Sequence, residues 1–487
     1  MSRFTWTSDA VREALDLPMQ HRDARKDAAD AEEGAVYSGV STDSRSVAEG
    51  DLYVALCGER FDGHDFVAEA LASGASAAVV SRPVEVLPHE QLYSVEDTLV
   101  ALGALAAYRR QALDVPVVAI TGSSGKTSTK DLAQAAIAGG ARVHATSGNF
   151  NNRIGMPLTL LATPSEVEVV ILELGSNEPG EIATLAAIAQ PDIGVVTTVG
   201  ESHLEKLGSL EGVLEEKLDL LRAVAGRGTC VVGDEPATLV DGARAICPSV
   251  RVAGWGERAD PTLRPQQVEV DAFGGHRFQW HGESVTLALP GRHSVANAMI
   301  ALAIAELVGV EAKDAVQGIA RAEPGSLRGE VRRIGGLTVV VDCYNANPQS
   351  VRAALDLLHG QSTASRTVAV LGTMLELGEA AARLHEETLS YALELDIDLV
   401  VATGAFAAAD VVTAHKATAT GGTAATRAAD RVLCADDWQS AYPFLRERLD
   451  GDEVVLLKAS RGVALEGILP SLERDFGAQA QSPAVEA

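Results

Sequence analysis

Cysteine is sparse in this 487-residue chain: five residues, at positions 57, 230, 247, 343 and 434, with no C-x-x-C pair. Such scattered residues build neither a disulfide framework nor a cysteine-rich zinc site, and reduced structural thiols are expected. Positive charge is also scarce. Forty Lys and Arg against 67 Asp and Glu leave a formal charge of −27, which opposes DNA or any polyanion that needs basic surface to release counterions. Small phosphorylated ligands stay within reach, because a loop of N–H groups and one lysine can bind them locally. Long apolar runs are missing too: nothing approaches the roughly 18 to 20 uninterrupted apolar residues of a membrane span. The opening stretch "MSRFTWTSDAVREALD" lacks an apolar signal core. The expectation is a cytoplasmic protein with no membrane insertion and no nucleic-acid partner.

What is present is apolar content of 47%, enough for several cores, in a chain whose length suits two to four domains. Strand-like and helix-like segments alternate nearly throughout, which predicts an α/β fold with mainly parallel sheets. Three α/β units in series are expected. The first, 1–95, holds the turn-rich "GVSTDSRSVAEGDLYVAL", a helix from about His64 and the strand "SAAVVSR". The charged stretch "HRDARKDAADAEEG" within it reads as a surface insertion. The second, 96–327, opens with the helix "DTLVALGALAAYRRQAL" and repeats the strand pattern in "VPVVAI", "VEVVILELG", "DIGVVTTV" and "GTCVVGD". The third, 328–487, follows the turn "AEPGSLRG", begins with the strand "LTVVVD" and continues through "RTVAVLG", "IDLVVATG" and "EVVLLKA".

The chemistry concentrates around "AITGSSGKTSTKD", residues 119 to 131. It reads as a phosphate-binding loop in which Ile120 stands where a standard P-loop has glycine. Gly122 and Gly125 lack a Cβ, so the N–H groups between them can turn toward a phosphate. Lys126 can place an ammonium near the β- and γ-phosphates, and the Thr127 hydroxyl can reach Mg²⁺. The loop lies between a buried-looking strand and a helix start, where the helix N-terminus attracts anions. A bare strand-to-helix turn has no need of Gly-Lys-Thr.

Further along, Asn149, Asn151 and Asn152 cluster in "TSGNFNNRIG", as readers of a polar substrate or as turn formers. Glu173 ends the apolar run "VVILE", where an NTPase places its Mg²⁺ carboxylate, although carboxylates at strand ends are common. His203 follows another strand end, and a lone histidine is usually structural. Lys217 falls inside the apolar stripe of a helix marked by positions 210, 213, 214, 218 and 221. A lysine there must pair with a carboxylate, snorkel to solvent, or hold a neutral amine.

"TGSSGKTSTKD", "GNFNNRIGMPLTLL", "ELGSNEPGEI", "VGESHLEKLGSLEGVLEEK", "GRHSVANAMIAL" and "DCYNANPQSVRAAL" together resemble, in order and spacing, the Mur ligases of peptidoglycan synthesis. The likeness runs from about Ser41 to Gly462, and this family uses Gly-x-x-Gly-Lys-Thr, so Ile120 is no lesion. "YNANP" resembles the branch that joins D-alanyl-D-alanine to a UDP-N-acetylmuramoyl-tripeptide, since sister branches tend to carry histidine there. The resemblance implies three domains: a UDP-sugar-binding N-terminal domain, a central P-loop ATPase domain and a Rossmann-like C-terminal domain receiving the dipeptide. It also implies a monomer using ATP and Mg²⁺. Gly122, Ser123, Ser124, Gly125, Lys126, Thr127 and Ser128 would bind ATP, with Asn297 on the adenine side. Arg328 and Asp342 would close onto the nucleotide, with Tyr344, Asn345 and Asn347 beside them. Thr127, Glu173, His203 and Lys217, the last as a carbamate, would hold metal. Lys126, Lys217, His203 and Arg328 would act in catalysis. Ser41, Thr42, Asp43, Ser44 and Arg45, with Asn149, Asn151 and Asn152, would receive the substrate. Ser294, Cys343, Thr373 and Ala459 depart from the residues usual in relatives, Asn, Ser, Asp and Gly, and none removes a group that the phosphate chemistry requires.

Overall fold

A computed structural model describes residues 4–19, 35–58, 60–86, 91–270, 274–323, 325–361, 366–409 and 431–477. The charged stretch within 21–34 and Pro324 of the turn signal lie outside the described residues.

Three sheets succeed one another along the chain. The first is a four-stranded parallel sheet, Val40–Ser41, Leu52–Val54, Ala77–Val80 and Gln91–Ser94, in that spatial order. A short antiparallel pair, Trp6–Thr7 with Val36–Tyr37, forms a separate ladder packed on the same core, with the Tyr37 and Tyr93 hydroxyls 2.7 Å apart.

The second sheet is all parallel, with six strands. Across it run Arg251–Ala253, Thr229–Gly233, Ile193–Val196, Val117–Thr121, Val169–Glu173 and Val143–Ala145. Val117–Thr121, Val169–Glu173 and Ile193–Val196 are buried at every position. That burial on both faces is why they read as unbroken Val/Ile runs rather than as alternating ones. After Val117–Thr121 the chain goes to the edge strand Val143–Ala145, returns to Val169–Glu173 between the two, then crosses to Ile193–Val196 on the other side. Such a switch point opens a crevice at the carboxyl ends of the strands. The phosphate loop, Glu173 and Thr197 all emerge there. The helix Lys126–Ala138 covers the sheet by packing against Arg292–Leu307 and Ala312–Ile319.

A three-stranded antiparallel sheet, Gln266–Val270, His276–Trp280 and Glu283–Leu287, flanks the second unit. The third unit has six strands in the order Glu330–Ile334, Leu337–Asp342, Val454–Lys458, Thr367–Leu371, Leu399–Thr403 and Val432–Ala435. All pair in parallel except the first, an antiparallel edge. This corrects the expectation that the unit begins with "LTVVVD": Glu330–Ile334 precedes it, and its charged, half-exposed "EVRRI" hides it as a strand. Among the described residues no helix is long and apolar enough to cross a membrane, and all five cysteines are free thiols.

Candidate active site

Geometry at the phosphate loop follows from its two glycines. Gly122 has φ +147° and a Cβ there would stand 2.0 Å from Thr197 Oγ1; Gly125 has φ +80° and its Cβ would meet Asn297 Oδ1 at 2.6 Å. Both positions therefore exclude a side chain by backbone angle and by space. Gly125 is the N-cap of Lys126–Ala138 and brings no capping side chain, so the helix presents its N–H groups to the crevice. The neighbouring strand end braces the loop. Ser123 N donates to Thr198 O (2.9 Å), Ser123 Oγ to Gly200 O (3.0 Å) and Thr197 Oγ1 to Ser124 O (2.6 Å). Lys126 Nζ donates to Gly122 O at 2.6 Å. Burial pushes its ammonium below the usual lysine range, Glu173 opposes that shift and Arg328 adds to it.

Glu173 is 1% exposed. Its Oε1 accepts from Asn151 Nδ2 at 2.8 Å, and its backbone N donates to Thr146 Oγ1 at 2.9 Å. Oε2 is buried with no hydrogen-bond partner among the described residues. A buried carboxylate oxygen left without a donor is costly, whereas a hard cation satisfies it. The residues present thus fit Mg²⁺, with Thr127 and His203 lining the same cavity. His203 has φ +52°, and its Nδ1 lies 2.6 Å from Glu376 Oε2 of the third unit.

Lys217 is 1% exposed on the helix Leu210–Val224. Its Nζ donates to Ser176 Oγ at 2.6 Å, which rules out snorkelling. The adjacent Glu216 is engaged elsewhere, accepting from Gly180 N (2.7 Å) and Ile182 N (2.8 Å) at the start of another helix. Desolvation, with repulsion from Lys126, pushes the Lys217 amine down to about 7. The stripe is narrower than its sequence pattern, since Leu210 is 42% exposed.

The third unit faces this crevice. The guanidinium of Arg328 sits 3.8 Å from the ring centre of Tyr344, a stacked cation–π arrangement. Asp342 pairs with Lys458 at 2.7 Å, and Lys458 also donates to Asn345 O at 2.7 Å. Asn347 caps the helix Pro348–Gly360 through Ser350 N. Its Nδ2 also reaches Ser124 Oγ at 3.1 Å, so it joins the third unit to the phosphate loop. Thr373 Oγ1 accepts from Ala405 N at 3.0 Å, tying its own loop to the next strand end. A cavity of about 980 Å³ takes in the phosphate loop, Glu173, His203, Asn297, Arg328 and Asp342.

A second cavity, about 720 Å³, is lined by Ser41, Thr42, Asp43, Asn149 and Asn152. Ser44 and Arg45 are not on its wall: Arg45 is turned to solvent and bound to Asp43 at 2.7 Å. The three asparagines divide. Asn151 holds Glu173, Asn152 Oδ1 accepts from Ile154 N and Gly155 N as a turn former, and exposed Asn149 borders the second cavity. Lys458, Glu376 and Gln349 were not singled out in the sequence. Only "EVVLLKA", an apolar strand ending in lysine, carried a trace of the first.

Three family models match: the Mur ligase family catalytic domain over residues 36–110, the Mur ligase middle domain over 120–305 and the Mur ligase glutamate ligase domain over 327–461. A UDP-N-acetylmuramoyl-tripeptide--D-alanyl-D-alanine ligase of Bacillus subtilis is 36% identical over 448 residues, covering 90% of this chain and 94% of the relative. The enzyme of the same name from Mycobacterium tuberculosis is 36% identical over 482 residues, covering 92% and 94%. A crystal structure of MurF from Acinetobacter baumannii superposes with a TM-score of 0.83 at 29% identity, covering 97% of this chain and 100% of that one. MurF ligase from Thermotoga maritima in complex with ADP gives 0.76 at 27% identity, covering 90% and 97%. With three family models matched in order along its length and relatives of that family covering most of it, the chain belongs to the Mur ligase family.

Proposed function

We infer that the chain is an ATP-dependent ligase joining D-alanyl-D-alanine to the terminal carboxylate of UDP-N-acetylmuramoyl-tripeptide, in cytoplasmic peptidoglycan precursor synthesis. It works as a monomer of three domains, 1–95, 96–327 and 328–487. The observation that carries this reading is the cavity of about 980 Å³ that puts the phosphate loop, Glu173 and the strand ends of the third unit around one volume. The relatives of that name supply the substrates.

A carboxylate is a poor electrophile, so amide formation in water requires activation. The tripeptide carboxylate attacks the γ-phosphorus of ATP, ADP leaves, and an acyl phosphate remains. The neutral amine of the dipeptide attacks that carbonyl, and the tetrahedral intermediate expels phosphate. In this chain the N–H groups of Ser124 to Thr127 and the Lys126 ammonium hold the phosphates and offset charge on the transferring group. Mg²⁺, held by Thr127, Glu173, His203 and a carbamate of Lys217, would supply the remaining positive charge. Asn297 borders the loop on the adenine side. Arg328 and Asp342 act from the third unit, whose seating on the crevice keeps water from the acyl phosphate. Ser41, Thr42 and Asp43, with Asn149 and Asn152 across the second cavity, serve the UDP-linked substrate.

The test is ADP release with ATP and each substrate alone, then with both. Sustained turnover only with UDP-tripeptide and D-alanyl-D-alanine together supports the reading. Fast ADP release from ATP alone contradicts it.

A further inference from the structure

The side chain of Gln349 lies in the first turn of Pro348–Gly360, on the third unit, yet its contacts lie in the second. Its Nε2 donates to Thr198 Oγ1 at 3.0 Å, and Thr198 Oγ1 in turn donates to Glu235 O at 3.0 Å. A Cβ on Gly200 would stand 2.8 Å from Gln349 Oε1. The amide therefore lies directly against the backbone of 198–200. Oε1 is itself buried, with no hydrogen-bond partner among the described residues.

The segment it touches has two duties. Thr198 O and Gly200 O accept from Ser123 N and Ser123 Oγ of the phosphate loop, and the same segment leads, three residues on, to His203. Two positions before Gln349, Asn347 reaches Ser124 Oγ and, at 3.5 Å, Ser123 O. One helix start of the third unit thus touches the phosphate loop through Asn347 and the brace behind that loop through Gln349.

We infer that Gln349 is a positioning residue: seated by the third unit, it clamps the 198–203 segment and so fixes both the phosphate loop and His203 in working geometry. Its side chain borders the cavity of about 980 Å³, but its hydrogen bond is to Thr198. Its effect passes through Thr198, Gly200 and Ser123, and it makes that brace depend on where the third unit sits. The consequence for turnover rests on the ligase reading above; the clamp itself does not.

Two measurements separate these. Amide hydrogen exchange on the protein without ligands is read at 198–203 in wild type, Gln349→Ala and Thr198→Val. Removal of the Gln349 donor should raise exchange there about tenfold; Thr198→Val, which also loses the bond to Glu235 O, should raise it at least as much, and the double variant should be no faster than Thr198→Val, because that change has already deleted the contact to Gln349. Thermal melting of the central domain should stay unchanged. In steady-state assays Gln349→Ala should lower kcat about tenfold while the KM for ATP stays within about twofold, and Gln349→Glu, which keeps the shape but loses the donor, should not rescue it. Unchanged exchange at 198–203, or single effects that multiply in the double variant, overturns the clamp. A wild type inactive with both substrates would instead overturn the ligase reading, leaving the exchange result to stand by itself.

Discussion

Lys217→Met separates function from stability most sharply. Methionine keeps the length and apolar stem of the side chain and removes the amine. The folded state holds that amine at about 7, against 10.5 for an unperturbed lysine. Between those values the unfolded chain binds more protons than the folded one, so this group makes stability rise with pH across that window. Below pH 7 the amine is protonated in both states and its burial penalty is fully present; above 10.5 the penalty is gone. Each pH unit well inside the window is worth about 1.4 kcal/mol, and rounding near the folded value leaves about 2 kcal/mol between pH 7 and 9. Lys217→Met lacks this dependence. It also leaves the Ser176 hydroxyl without its donor, at a cost of about 1 kcal/mol that does not vary with pH. The variant should therefore melt higher relative to wild type at pH 7 than at pH 9. The gap should narrow by roughly 4–8 °C for a domain of this size, in CO₂-depleted buffer, while ligase activity is nearly lost. Parallel pH profiles for the two proteins would refute a neutral buried amine, and substantial activity in Lys217→Met would refute its metal-holding role.

Lys126→Ala removes the loop cation without touching its glycines, and turnover should fall by roughly 10²–10³, the scale of one lost charge-stabilising donor; near-normal rates would take the loop out of the mechanism. Glu173→Gln keeps the side chain's shape and Asn151 beside it but neutralises the buried oxygen, so Mn²⁺ affinity measured by electron paramagnetic resonance, without substrates, should drop at least tenfold; unchanged binding would remove Glu173 from the metal site. Asp342→Ala removes a carboxylate from the wall of the cavity and should lower kcat at least tenfold at saturating ATP; near-normal turnover would sink the role of Asp342.

Much of this was legible because parallel strands buried on both faces announce themselves. Val117–Thr121, Val169–Glu173 and Ile193–Val196 are short Val/Ile runs, and the functional side chains follow at their carboxyl ends. The three antiparallel strands were not legible. Gln266–Val270 buries no residue fully, so its pattern is that of a polar loop. The partners of the site residues were also hidden. Asp342 and Lys458 meet because their strands are neighbours in register, 116 positions apart in the sequence, and strand order is not written in any local pattern. Glu376 beside His203 and Gln349 beside Thr198 arise in the same way, from two units seated on one another. Arg45 shows the converse: a cation beside a polar motif invites a ligand role, yet its nearest anion, Asp43, binds it first.

The central claim is that the tripeptide carboxylate is activated as an acyl phosphate, and isotope transfer tests it most directly. With ¹⁸O in both oxygens of the terminal carboxylate of UDP-N-acetylmuramoyl-tripeptide, plus ATP and D-alanyl-D-alanine, one ¹⁸O should appear in the inorganic phosphate for each amide formed, and one should stay in the new peptide bond. Unlabelled phosphate released alongside amide product would contradict that activation.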